Sequence, residues 1–281
     1  MFRTLDRGAT RSLPRAAVPR WTRARAILST ALPPAAVLVV LVVAWEAYVR
    51  LSGVKPYLVP SPVDVFDRWR SDPGYWYGEG LVTLLEALGG LAVGGLLAFG
   101  LAVLLAHSRP LERGVLPIAI ALKVTPVVAV APLFTIWFGF GTTPKVLIAA
   151  LVAFFPILIN GITGFRAVNP QTLDLMRSLD ASGWTVFWKL RLPSAAPYLL
   201  SALKVSMTLS LIGAMVAEWS GAGRGLGRAL LLAHSNLDMP GLFAGIFTLA
   251  SLGVLAMAVL SLVERRLLFW HETFRSGADG R

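Results

Sequence analysis

Residues 169–204, NPQTLDLMRSLDASGWTVFWKLRLPSAAPYLLSALK, begin as a polar, basic insert between two apolar runs of bilayer-crossing length. A chain does not need such an insert in order to span lipid. The pattern therefore calls for a membrane-embedded helical bundle that carries a separate, water-exposed surface for a soluble partner.

Composition agrees with the first half of that statement. The chain is 56% hydrophobic and 15% charged, whereas soluble domains carry about 25% charged residues. Cysteine is absent, and the three histidines (His107, His234, His271) are widely spaced. Disulfides, thiol catalysis and a zinc-type cluster are thereby excluded, and no metal or other cofactor site is expected in this chain. The net charge of +11 is one that nucleic-acid binders share, but the basic residues fall in tails and alternate loops, which is the pattern of membrane orientation.

Six apolar segments, near 31–51, 80–106, 115–138, 144–165, 196–218 and 241–263, each supply the roughly 20 residues that cross a hydrocarbon core. Placing the Arg-rich tail inside puts 107–114, 166–195 and the tail after Glu264 on the same side. Seventeen basic residues then lie inside and seven outside, which predicts cytoplasmic N- and C-termini. The expected organisation is a disordered tail over 1–30, a six-span domain over 31–264 with its core at 80–264, and a second tail over 265–281. A cleaved signal peptide is disfavoured because the first apolar run has full span length. In the first external loop, Pro60 and Pro62 predict extended backbone, followed by a short amphipathic helix around Asp64–Trp69 and an aromatic belt at Tyr75, Trp76 and Tyr77. The glycines of the second span (Gly89, Gly90, Gly94, Gly95, Gly100) predict close packing inside a bundle.

Within the insert, Asn169-Pro170 reads as a helix start, with Asp174 favourably placed near it. Leu173, Met176 and Leu179 share a face. A corner follows at Asp180-Ala181-Ser182, where Ser182 caps a second helix bearing Trp184, Phe187 and Trp188, with Leu190 on the next turn. Lys189 and Arg191 suit that helix's C-terminus, and Pro193 is expected to stop it. Two short amphipathic helices of this kind suit either a protein partner or the lipid headgroup surface.

The insert resembles the coupling loop of permease subunits of type I ATP-binding-cassette importers, whose pattern is Glu-Ala-Ala, three residues, Gly, then a spacer ending in Leu-Pro. Counting back from Leu192-Pro193 places Asp174, Leu175 and Met176 on the Glu-Ala-Ala positions and Asp180 on the glycine. Arg177–Ser182 and Leu192–Tyr198 match signatures of the nitrate, sulfonate, taurine and pyrimidine-precursor branch. Further blocks are Pro60-Ser61-Pro62, Ala131-Pro132-Leu133, Phe138–Gly141, Phe155-Pro156, Gly225-Leu226-Gly227, Glu264-Arg265-Arg266 and Trp270. The resemblance implies an all-α integral membrane protein with the type I importer permease fold in a bacterial cell membrane. It also implies a homodimer, two cytoplasmic ATPases holding ATP and Mg on the coupling loops, and an external substrate-binding protein. Asp174, Met176, Leu179, Asp180, Ser182, Trp184, Phe187, Leu190 and Pro193 would then be the coupling residues. Asp at the glycine position bears on the corner, since glycine adopts left-handed backbone more readily.

Two further side chains are candidates for the translocation path. Lys123 lies in the third span, either as a pathway residue or as an anchor snorkelling to the cytoplasmic interface. Glu218 ends the fifth span before Trp219 and a Gly-rich stretch, read either as a mobile loop over the path or as a flexible connection. That stretch lacks the Lys-Ser/Thr of a phosphate-binding loop, so no nucleotide site is expected. The alternative reading is an ion-gradient-driven secondary transporter or channel. It requires paired charges or broken repeats within the spans.

Overall fold

The computed structural model describes residues 20–268, with side chains from Leu32 onward. Residues 1–19 and 269–281, including Trp270, lie outside the described residues, and with them most of both expected tails. The chain divides into two compact units at Val54. The first unit contains helix α1 (Arg20–Ser52), whose segment Leu32–Ser52 is apolar enough to span a membrane. It begins well before the apolar run, so residues 20–30, expected to be disordered, are helical.

The second unit is built on three long helices: α3 (Pro73–His107), α6 (Thr142–Arg166) and α9 (Leu192–Glu218). They pack closely because small residues meet at their crossings. A Cβ added at Gly90 would overlap Ala149, and one at Gly94 would overlap the Ala150 carbonyl. Lipid tails are as apolar as leucine, so helix association in a membrane depends on such backbone-to-backbone approach and on interhelical hydrogen bonds. Both are present. Ser210 Oγ donates to the Ala87 carbonyl at 2.6 Å and Ser206 Oγ to the Ala153 carbonyl at 2.7 Å, both fully buried. Each such bond contributes about 0.6–2 kcal/mol.

The third expected span is not one helix. It divides into α4 (Arg109–Val124) and α5 (Val127–Phe138), bent by 96° at Thr125-Pro126. Pro126 brings no N–H and holds Thr125 extended at φ −65°, ψ 126°. The Thr125 amide turns back to the Leu122 carbonyl at 3.2 Å and its hydroxyl donates to the Ala121 carbonyl at 3.2 Å. Among the described residues five helices are individually long and apolar enough to span, and the number is six if the bent pair counts as one span.

Helix α2 (Pro62–Ser71) is the amphipathic helix expected in the first loop. It starts with a reciprocal capping box between Ser61 and Asp64, and Arg68 ties it to Asp238 at 2.9 Å. Trp76 departs from the expected aromatic belt: it is 1% exposed, with the Arg68 guanidinium 5.8 Å from its ring. The Gly-rich stretch is followed by a helix not foreseen, α10 (Leu226–Ser235), and α11 (Met239–Leu267) completes the described chain.

The packing argument predicts a difference between two glycines of one helix. Gly94→Ala should cost about 1–3 kcal/mol by overpacking, whereas Gly100→Ala, with nothing within 4 Å of the added methyl, should change stability by less than about 0.5 kcal/mol. Unfolding titrations with SDS in mixed micelles measure both. Equal effects would remove the α3–α6 contact as the organising interaction.

Candidate functional site

Three places in the structure bear on function. The first is the insert itself. Helix α7 (Pro170–Ser178) begins where Asn169 accepts from the Gln171 amide at 2.9 Å. It ends in a left-handed corner: Asp180 has φ +52°, its amide donates to the Arg177 carbonyl, and the Ala181 amide donates to the Met176 carbonyl, each at 3.0 Å. This is the double-bonded helix terminus in which glycine is preferred at the left-handed position. Aspartate fills that position here, at the place where the loop pattern has its glycine. The Asp174–Arg177 pair at 3.1 Å is about 70% exposed on both sides and contributes little.

Ser182 then accepts from the Thr185 amide at 3.2 Å and starts helix α8 (Gly183–Val186). A π turn over Phe187–Arg191 follows and runs directly into α9. Pro193 therefore does not stop the second helix. It lies in the first turn of α9, and the wider π turn before it accommodates a residue without an N–H. Gly183–Glu218 is one helical segment of 36 residues, about 54 Å long at 1.5 Å per residue. Lys189 and Arg191 consequently sit inside a helix rather than at its end. Arg191 reaches His107 Nε2 at 2.9 Å, and His107 Nδ1 bonds the Val103 carbonyl at 2.7 Å, so the rod is tied to the end of α3. Arg166 fastens the same end by donating to the Leu105 carbonyl and pairing with Glu112, at 2.9 and 2.8 Å.

The expected coupling residues separate into two groups. Trp184 and Leu179 are about 70% exposed, joined by Leu175 and by Trp188, whose ring meets that of Trp184 edge-on at 5.5 Å. Phe187 instead stacks on the core residue Phe165 at 5.9 Å, and Met176 and Leu190 are half-buried. Phe187 is thus a root of the knob rather than part of its outer surface. Leu175 was missed although its i, i+4 relation to Leu179 signalled a shared face.

The second place is a buried polar cluster at the opposite end of the bundle. Glu79, Thr83 and Glu86 lie on successive turns of α3. Three consecutive amides at the start of α10 are received there: that of its cap Gly225 by Glu79, Leu226 by Thr83 Oγ1 at 2.8 Å, and Gly227 by Glu218. Thr83 donates onward to Glu218 at 2.7 Å, and Arg224 pairs with Glu79 at 3.1 Å. Gly225 has φ +115°, and a Cβ there would overlap the Glu218 carboxyl. The stretch 221–227 is therefore anchored rather than a flexible connection. Glu218, 1% exposed, is engaged in holding it and faces no open path. Beside it Lys145 and Glu86 form an ion pair at 2.7 Å, 8% and 3% exposed. Sequence reading placed Lys145 with the external basic residues. The opposite charges of Glu86 and Lys145 within apolar segments were the available signal.

The third place is the α4–α5 break. Lys123 lines a crevice of about 450 Å³ with Thr125, Phe155, Pro156, Asn160 and Val205. Phe155 and Pro156 are at the middle of α6, and Val205 is at the middle of α9. Lys123 therefore sits at mid-height of the bundle, not near one end.

The buried pair yields a prediction. Lys145→Met alone should cost about 3–5 kcal/mol by leaving Glu86 uncompensated, and Lys145→Met with Glu86→Met should recover most of it. The SDS titration distinguishes them. A double variant no more stable than the single one would mean that pairing is not what holds these two groups.

Comparison with known proteins completes the picture. The family described as "Binding-protein-dependent transport system inner membrane component" matches residues 90–269. The formylaminopyrimidine transport permease protein of Halalkalibacterium halodurans is 35% identical over 86% of this chain and 97% of its own. The riboflavin transport system permease protein of Chloroflexus aurantiacus is 36% identical over 83% and 88%. The taurine transport system permease protein of Escherichia coli is 31% identical over 83% and 88%. Among solved structures, an amino acid ABC transporter with histidines superposes with a TM-score of 0.56 at 20% identity, covering 70% of this chain and 95% of that one. The all-helical fold is thus that of an ABC transporter, and the chain belongs to the family of binding-protein-dependent inner-membrane components, as a multi-pass permease subunit of an ABC importer.

Proposed function

We propose that this permease works as a homodimer, with two soluble ATPases seated on the 170–191 knobs and a substrate-binding protein at the opposite end. The observation that carries the reading is the exposed apolar surface formed by Leu175 and Leu179 of α7 with Trp184 and Trp188, the latter two on a helical segment that continues unbroken into the membrane core. Aromatic anchors on a rigid element are the usual centre of a protein interface. Force applied at Trp184 moves α9 as a whole, because α8, the π turn and α9 form one rod. The chain itself performs no chemistry in this scheme. ATP and Mg are held by the partner ATPases, and closure of those subunits drives the bundle between its inward- and outward-facing arrangements.

Orientation follows from the same end of the molecule. Arg109, Arg113, Arg166, Arg177, Lys189 and Arg191 accompany the knob, which favours a cytoplasmic position for it and for both termini. The anchored 221–227 loop and α2 then face outward, where cargo is delivered. For cargo, relatives named for a formylaminopyrimidine, riboflavin and taurine support a small organic solute, either a nitrogen heterocycle or a sulfonate.

Replacing Leu179 and Trp184 together with alanine should weaken ATPase association by roughly thirtyfold or more, corresponding to ~2 kcal/mol, while the permease still inserts. Phe187→Ala should instead lower the stability of the permease itself, by about 2–3 kcal/mol. Asp180→Gly should preserve coupling, since glycine suits the left-handed corner. Co-purification of the ATPase, together with ATP turnover in reconstituted vesicles, reads the first and the third, and the SDS titration reads the second. Full association and full uptake by the Leu179→Ala/Trp184→Ala variant would leave the knob as a membrane-surface anchor.

A further inference from the structure

The break at Thr125-Pro126 places irregular backbone at the middle of a membrane bundle, with Val124 75% and Val128 58% exposed. By the geometry of any helix end, the last carbonyls of α4 and the first amides of α5 lie outside a helical ladder. Backbone of that kind is not stable against lipid; at membrane depth it occurs where it is buried in protein or lines a water-filled cavity. The adjoining crevice decides between those two settings. Its one charged group is Lys123, and among the described residues Lys123 makes no ion pair. An ammonium at the midplane without a carboxylate is not stable in a dry interface, so the crevice is wet.

The remaining lining gives the crevice a chemical preference. Asn160 donates to the Pro156 carbonyl at 2.8 Å, which leaves its side-chain oxygen and second N–H available. Thr125 uses its hydroxyl proton on Ala121 and can still accept. Leu122, Val127, Leu151, Phe155 and Leu209 make the rest apolar. A single cation beside an amide in an apolar wall suits a solute with an anionic or electron-rich oxygen head on an apolar body.

Resting on the permease reading above, we propose that the crevice at the α4–α5 break is a solute-contact site of the translocation path, in which Lys123 receives a negatively charged or carbonyl oxygen of the cargo and Asn160 supplies the second polar contact. The site selects by charge sign: it concentrates anions at the break and repels cations. The apolar wall accepts the body of the solute without fixing its shape, which fits a path that must release what it admits.

The chain is naturally free of cysteine, so single cysteines report on the crevice without background. Thr125→Cys and, independently, Val128→Cys are placed in the full importer with its ATPase in vesicles. Each is reacted with two water-soluble methanethiosulfonates of similar size, one bearing a sulfonate and one a trimethylammonium group. Rates are normalised to those with a free thiol in solution. The sulfonate reagent should react at least about tenfold faster at both positions, since a charged cleft raises the local concentration of the opposite sign by that order or more. Adding Lys123→Gln should bring the ratio close to one. If neither cysteine reacts with either reagent in an importer that still transports, the break faces lipid or a closed interface, and the path reading fails at this place. If both react but without charge preference, or with a preference that survives Lys123→Gln, the path stands and the anion site does not.

Discussion

Backbone contact between α3 and α6, at Gly90 and Gly94 against Ala149 and Ala150, is the interaction on which the rest of the structure depends. It brings two helices close enough for Lys145 to reach Glu86 and, with α9, for Ser206 and Ser210 to reach carbonyls on the facing helices. Those polar links are worthwhile only in a core from which lipid and water are both excluded. The outcome is a stiff block of three helices, fastened at one end by Arg166 and Arg191 and at the other by the Glu79–Thr83–Glu218 cluster.

A stiff block assigns movement to what is attached to it. The knob is not a hinged appendage, because its second helix is the beginning of α9 and its root, Phe187, stacks on Phe165 in the core. The α4–α5 pair contrasts with it, since the bent span lacks a continuous hydrogen-bond ladder at Thr125-Pro126. An input at the knob is therefore carried by α9, while the break, beside the middle of α6 and α9, is where the same motion changes what a solute meets.

Much of this was legible in the residues. Apolar run length indicated the long apolar helices, and the Asn169 and Ser182 caps located the starts of the two knob helices. What was not legible came from contacts between distant segments. Pro193 read as a stop because local rules see the missing N–H and not the π turn that accommodates it. Pro126 carried the same local signal and did break its helix, since there the preceding residue goes extended. Trp76 read as an interfacial aromatic, yet the packing of Arg68 and the outer helices buries it. Lys145 and Glu86 are far apart in sequence, so nothing local announced their pairing. The 96° bend at Thr125-Pro126, which brings Lys123 and Thr125 into one crevice with the middle of α6 and α9, was not foreseen in a third span read as straight.

The central claim is that the knob drives the path through helical continuity from Gly183 to Glu218. Inserting three glycines between Trp188 and Lys189 interrupts that continuity outside the three-helix block while leaving the exposed anchors intact. The measurement is the amount of solute imported per ATP hydrolysed in vesicles containing the ATPase and the cognate binding protein. The account predicts that the ATPase remains bound and hydrolyses ATP while import falls to background. Import at an undiminished ratio would contradict it, and would place the transmission of force in contacts other than the rod.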